Sequence, residues 1–89
     1  MPRYFFHIED GADLRDDEGT MLADLAAAKC LGLKLAGQMI CDAGDAFWNQ
    51  REWTLTASDE AGLTLFRLQL LGTEAPSTAA HTPPPTLAA

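Results

Sequence analysis

One apolar stripe limits what this chain can fold into. Leu25, Ala28, Gly32, Leu35, Ala36 and Met39 recur at three- and four-residue steps, the repeat of an amphipathic helix. Leu22 and Ile40 lie beside the stripe, and Lys29 falls at its margin, where its stem can cover apolar surface while the ammonium reaches water. The spacing predicts a helix from residue 22 to about residue 43. Thr20 is placed to cap its start, with Asp24 in the first turn, where a negative charge suits the helix dipole. Asp42-Ala43-Gly44 ends it, and Gly37 lowers helix propensity without stopping it. The alanines and Gly32 in this stripe let the helix lie close to a sheet.

The flanking segments supply that sheet. Residues 3–9, Arg-Tyr-Phe-Phe-His-Ile-Glu, are aromatic and β-branched and read as a strand. Tyr4, Phe6 and Ile8 share one face, Phe5 and His7 the other. Asp10-Gly11 is a turn signal, so a short second strand over about residues 12–15, around Leu14, completes a hairpin. Asp16-Asp17-Glu18-Gly19 then favours a loop. Residues 45–50 connect the helix to a third strand, with Phe47 and Trp48 sealing the end of the core. Residues 51–57 alternate Trp53, Leu55 and Ala57 against Glu52, Thr54 and Thr56. Residues 58–62 form a hairpin loop with Gly62 in a left-handed position. In a fourth strand, residues 63–71, Phe66, Leu68 and Leu70 oppose Leu65, Arg67 and Gln69. The expected fold is α+β with two layers: a four-stranded antiparallel sheet with one helix packed on one face, in the order ββαββ.

Size and charge narrow the function. The 89 residues carry a formal charge of -7, room for one small domain over residues 1–72. Residues 73–89 hold four of the five prolines among Ala, Ser and Thr, and read as a disordered tail. A two-domain enzyme, a complete dinucleotide-binding fold and a barrel are all too large for this length. Arg3, Arg15, Lys29, Lys34, Arg51 and Arg67 are scattered, so neither nucleic acid nor an anionic membrane is an expected partner. No apolar run is long enough to span a bilayer. The first residues lack the apolar core and small-residue cleavage site of a secretory signal, so the expected compartment is the cytoplasm. Cys30 and Cys41 fall in one predicted helix, roughly 16 Å apart at 1.5 Å per residue, too far for a disulfide.

Six acids crowd residues 9–18: Glu9, Asp10, Asp13, Asp16, Asp17 and Glu18. Carboxylates suit a hard divalent cation, but Gly11 and Gly19 fall at the wrong offsets for a calcium loop. The plainer reading is a solvated turn that discourages aggregation, and the functional one is a protein-binding patch formed by Asp10, Asp13, Asp16, Asp17 and Glu18. His7 reads as a strand residue hydrogen-bonded across the sheet. It forms no zinc spacing with His81 and the cysteines, and nothing in the sequence activates a Cys–His pair. A serine-nucleophile elbow and a phosphate-binding loop are both missing. Trp48 and Trp53 read as residues that enlarge a thin core.

Met1-Pro2-Arg3-Tyr4-Phe5-Phe6-His7-Ile8, with Asp10-Gly11, Asp16-x-Glu18-Gly19, Leu25-x-x-Ala28 and Asp59-Glu60-x-Gly62, resembles a family of small alpha-proteobacterial proteins. These are common in rhizobia and known only as a domain of unknown function. The likeness covers residues 1 to about 70 and implies a small cytoplasmic bacterial protein, with no catalytic residue to carry over. The layout of strand, Asp-Gly turn, short strand, acidic loop and helix is more distantly similar to HicB-type antitoxin domains. That likeness implies neutralisation of a small basic toxin, although the separate DNA-binding segment that many of them carry has no counterpart here.

The expectation is therefore a non-enzymatic protein-interaction or regulatory module, without cofactor or metal, whose acidic hairpin binds a basic partner. An open sheet face bearing Phe5, His7 and Leu65 is a candidate homodimer surface. The alternatives are a small metal- or ligand-binding protein or enzyme using the carboxylates, and an antitoxin-like RNA-associated protein.

Overall fold

A computed structural model describes residues 1–11, 13–50 and 52–77. The elements are β1 (Arg3–Glu9), β2 (Asp13–Leu14), β3 (Thr20–Met21), α1 (Leu25–Ala43), α2 (Asp45–Gln50), β4 (Glu52–Ser58) and β5 (Thr64–Leu71). The fold is α+β: a five-stranded sheet, ordered β2-β1-β4-β5 with β3 also paired to β1, and one main helix. Every pairing among the described residues is antiparallel. Of the expected tail, residues 78–89 lie outside the described residues.

Two elements correct the expected ββαββ order. Thr20 and Met21 return to the sheet and pair with Tyr4 and Arg3. Two residues beside an acidic loop are too few to show alternation, which hides this strand from pattern reading. The connection after α1 folds into α2, a turn and a half that is likewise too short to show a period. Thr20 is consequently a strand residue and not the helix cap. Leu22 donates its N–H to the Pro2 carbonyl at 3.0 Å, so the chain is still following β1 there. The cap is Asp24, whose Oδ1 accepts the Ala27 N–H at 2.8 Å, and the helix starts at Leu25. It ends as expected, at Gly44 with φ 55° and its N–H on the Ile40 carbonyl.

The core forms between the small face of the helix and the large face of the sheet. Ala28, Gly32 and Ala36 of α1 are buried and meet Tyr4, Phe6 and Ile8 of β1 and Trp53, Leu55 and Ala57 of β4. Leu22, Leu31, Leu35, Met39, Phe66, Leu68 and Leu70 are partly buried around them. Leu55 is fully buried, a placement that stabilises a leucine by about 1.5–3 kcal/mol. Leu25, first in the helix, overhangs the core and is 40 % exposed. Both cysteines lie exposed on α1 and are free. Of the two tryptophans only Trp53 enlarges the core. Trp48 is exposed and packs edge-on to buried Phe47, ring centroids 5.4 Å apart.

The glycines divide by what a methyl group would meet. A Cβ at Gly32 would lie 3.5 Å from the Phe66 ring and 3.6 Å from Leu55, an ordinary contact, so the approach of the helix does not depend on a missing side chain there. At Gly72 a Cβ would fall 2.8 Å from the Phe47 ring and 2.9 Å from Trp48. Gly72→Ala is therefore expected to lose about 1–3 kcal/mol through overpacking. Gly37→Ala, with nothing within 4 Å, should gain about 0.5–1 kcal/mol of helix propensity. Urea midpoints of the two variants, read at constant m-value, check both signs.

Candidate functional site

Between β2 and β3 the edge of β1 loses its strand partner for a few residues, and Asp16 fills the gap. Its Oδ2 accepts the Phe6 N–H at 3.1 Å, a bond that a neighbouring strand carbonyl would otherwise make. Its Oδ1 accepts the N–H groups of Glu18 at 3.1 Å and Gly19 at 2.9 Å. Gly19 turns the chain back with φ 74°, a conformation that glycine adopts without steric cost. The Arg3 guanidinium closes the loop by donating to the Glu18 carbonyl at 2.7 Å. Burial pushes the Asp16 carboxyl up. The Gly19, Phe6 and Glu18 N–H groups, with the positive charge of His7 in acid, outweigh it and hold the carboxyl below its ordinary 3.8.

His7 joins this loop to β4. The Asp16 backbone N–H donates to His7 Nδ1 at 3.2 Å, and His7 Nε2 lies 3.1 Å from Ser58 Oγ. Because Nδ1 is an acceptor, the ring proton sits on Nε2 and is donated to the serine. A histidine that activates a serine needs the reverse tautomer, with an accepting Nε2 and an Nδ1–H held by an acceptor. Ser58 is also buried, 5 % exposed. The Ser58–His7–Asp16 chain therefore works as a brace between loop and sheet, in agreement with the cross-sheet hydrogen bond expected of His7.

The five acidic residues singled out from sequence are not brought together in one place. Asp10 is half-buried beside a cleft of about 60 Å³ that is also lined by Met39, Phe47, Glu52 and Trp53. Asp13 is exposed and lies opposite Glu9 across the β1–β2 pair. Asp16 and Asp17 line a shallow groove of about 220 Å³ together with Phe5, His7, Arg15, Ser58, Asp59 and Glu60. Asp17 and Glu18 are exposed. Asp59 and Glu60 come from the β4–β5 loop, a contribution that sequence reasoning missed because only the sheet register brings the two loops together. Asp59 shapes its own turn, its Oδ1 accepting the N–H groups of Ala61 and Leu63, each at 2.9 Å. Among the described residues, no group of three or more His, Cys, Asp or Glu side chains is placed to hold a metal ion, and no helix is long and apolar enough to cross a membrane.

Residues 3–72 match a family model described as a domain of unknown function (DUF6894), and the chain belongs to that family. No curated protein and no solved structure matches it.

Asp16→Asn keeps the size of the side chain but replaces one accepting oxygen with an NH2 group. It is expected to cost about 1–2 kcal/mol by leaving backbone donors unpaired. A carboxyl held below its ordinary pKa in the folded state contributes stability that is full above 3.8 and is lost as the pH falls through the lower folded value. The stability gap between the native chain and the variant should therefore be constant above that range and shrink in more acidic solution. Denaturant titrations across an acid pH series measure it.

Proposed function

We propose that this protein is a small interaction module that presents an acidic surface to a basic protein partner. The observation that carries the reading is the division of labour among the carboxylates. Asp16 and Asp59 spend their oxygens on backbone N–H groups and fix the two loops. Asp13, Asp17, Glu18 and Glu60 stand exposed, and among the described residues no ion pair neutralises them. Fixed loops carrying free charge lower the ordering cost of binding and steer a cationic partner into place. In a chain of charge -7, such a surface repels nucleic acid and anionic lipid alike. On the resemblance of the sequence to HicB-type antitoxin domains, we take that partner to be a small basic protein in the cytoplasm. The partner-facing residues are Asp13, Asp17 and Glu18, joined by Glu60, with Asp16 holding the loop in shape and Asp10 set apart beside the cleft at Phe47.

The test leaves Asp16 untouched so that the loop survives. Asp13→Lys, Asp17→Lys and Glu18→Lys are combined in one tagged variant and compared with the native sequence in affinity capture from nuclease-treated lysate of the source organism. A stoichiometric basic protein should be retained by the native chain and reduced at least about tenfold by three charge reversals, while the thermal midpoint hardly moves. Equal capture by the two proteins would defeat the reading.

A further inference from the structure

The two edges of the sheet are treated differently. The β1 edge is covered by β2, β3 and the Asp16 carboxylate, and acidic residues surround it. At the other edge lies β5, eight residues long, with Arg67 as its one charged side chain and no proline. Natural sheets shorten, charge or cover their edges to prevent pairing with other chains. Here one edge has all three defences and β5 has hardly any.

The backbone groups that β5 leaves outward follow from alternation. Phe6 turns its N–H away from β4 and toward Asp16, so its partner Ala57 turns its own N–H and C=O toward β5. Leu55 and Trp53 do the same, opposite Leu68 and Leu70. The N–H and C=O groups of Arg67, Gln69 and Leu71 therefore point away from the sheet, while at Leu65 the register shift between Ala57 and Ser58 interrupts the alternation.

We propose that a second copy of this chain pairs antiparallel with β5 about a two-fold axis through Leu68, making one continuous sheet across the dimer. In that register Arg67 lies opposite the second copy's Gln69, Leu65 opposite Leu71 and Phe66 opposite Leu70. Arg67 and Gln69 meet in two hydrogen-bonded pairs, giving about four backbone hydrogen bonds across the axis. The half-buried Phe66, Leu68 and Leu70 gain apolar neighbours on the helix side. An axis through Arg67 would set two guanidiniums face to face, and one through Gln69 would set Arg67 against Leu71 and Leu65 against Thr73. Axes through Phe66 or Leu70 would set Arg67 against Leu65 or Thr73, so the register about Leu68 alone places Arg67 opposite Gln69, and the occupant that this strand fits is a second copy. Residues 61–73 also contain no Asp or Glu, so two strongly acidic bodies meet there without opposed carboxylates. This interface is independent of the acidic surface and of its partner.

The experiment is sedimentation velocity on the full chain from micromolar to millimolar concentration, with three variants at one position. The native protein should show a reversible monomer–dimer equilibrium. Gln69→Pro removes only an outward N–H and leaves the β4–β5 ladder intact, so it should be monomeric at every concentration with an unchanged far-UV circular dichroism spectrum. Gln69→Glu sets a carboxylate opposite the second copy's Arg67 twice per dimer and should tighten the dimer roughly three- to tenfold at low salt, despite the added negative charge. Gln69→Lys should weaken it by a similar factor. A native chain that stays monomeric throughout overturns the proposal, as does a dimer indifferent to a folded Gln69→Pro variant, the result that pairing through the open face at Phe5 and His7 would give. If the proline variant does not fold, the Glu and Lys variants decide: opposite shifts support the register, and equal shifts overturn it.

Discussion

The Phe6 N–H is the donor around which the ordered acidic loop is arranged. It belongs to a strand edge that has lost its neighbour, because the chain leaves β1 after Leu14 and returns only at Thr20. Asp16 takes the bond with one oxygen and gathers Glu18 and Gly19 with the other. A charged acceptor makes stronger hydrogen bonds than a neutral one, so one side chain does locally what a strand would have done. The rest of the loop is determined by that contact. The Asp16 backbone N–H falls on His7 Nδ1, this sets the ring's tautomer, and the tautomer aims the Nε2 proton at Ser58.

Much of the scaffold was legible in sequence because it rests on long periodic patterns. The stripe of α1, the alternation of β1, β4 and β5, the Gly62 turn and the Gly44 stop each depend on local chemistry and survive in the structure. What escaped was short or non-local. β3 and α2 lack the length to show a period, and Thr20 matched a cap pattern that Asp24 satisfied in fact. Pattern also could not separate Trp48 from Trp53, since their difference lies in which element covers the ring.

The candidate site was legible as a concentration of charge and illegible as an arrangement. Six acids in ten positions are visible in the sequence, but the division into carboxylates that hold backbone and carboxylates left exposed requires the register of β1. The entry of Asp59 and Glu60 into the Asp17 groove depends on a pairing separated by some fifty residues, Phe5 with Ser58. Asp59-Glu60-x-Gly62 read as turn chemistry alone, and Asp59 does serve its turn. The same segment brings negative charge to a second loop.

The two proposed surfaces differ in how each edge of the sheet is closed. Acidic side chains near an edge deter a second acidic chain while attracting a basic one, so the β1 side suits a partner of opposite charge and resists self-pairing. β5 has the converse character: its side chains are apolar or neutral apart from Arg67, and its outward hydrogen-bonding groups are those of any extended strand, so selectivity there must come from register. In the proposed dimer Arg67 would supply it, because the strand's one charge penalises every alignment that sets it against itself or against leucine. Since β4 lies between β1 and β5, the two surfaces meet the sheet at opposite margins, and occupation of one leaves the other's backbone hydrogen bonds intact.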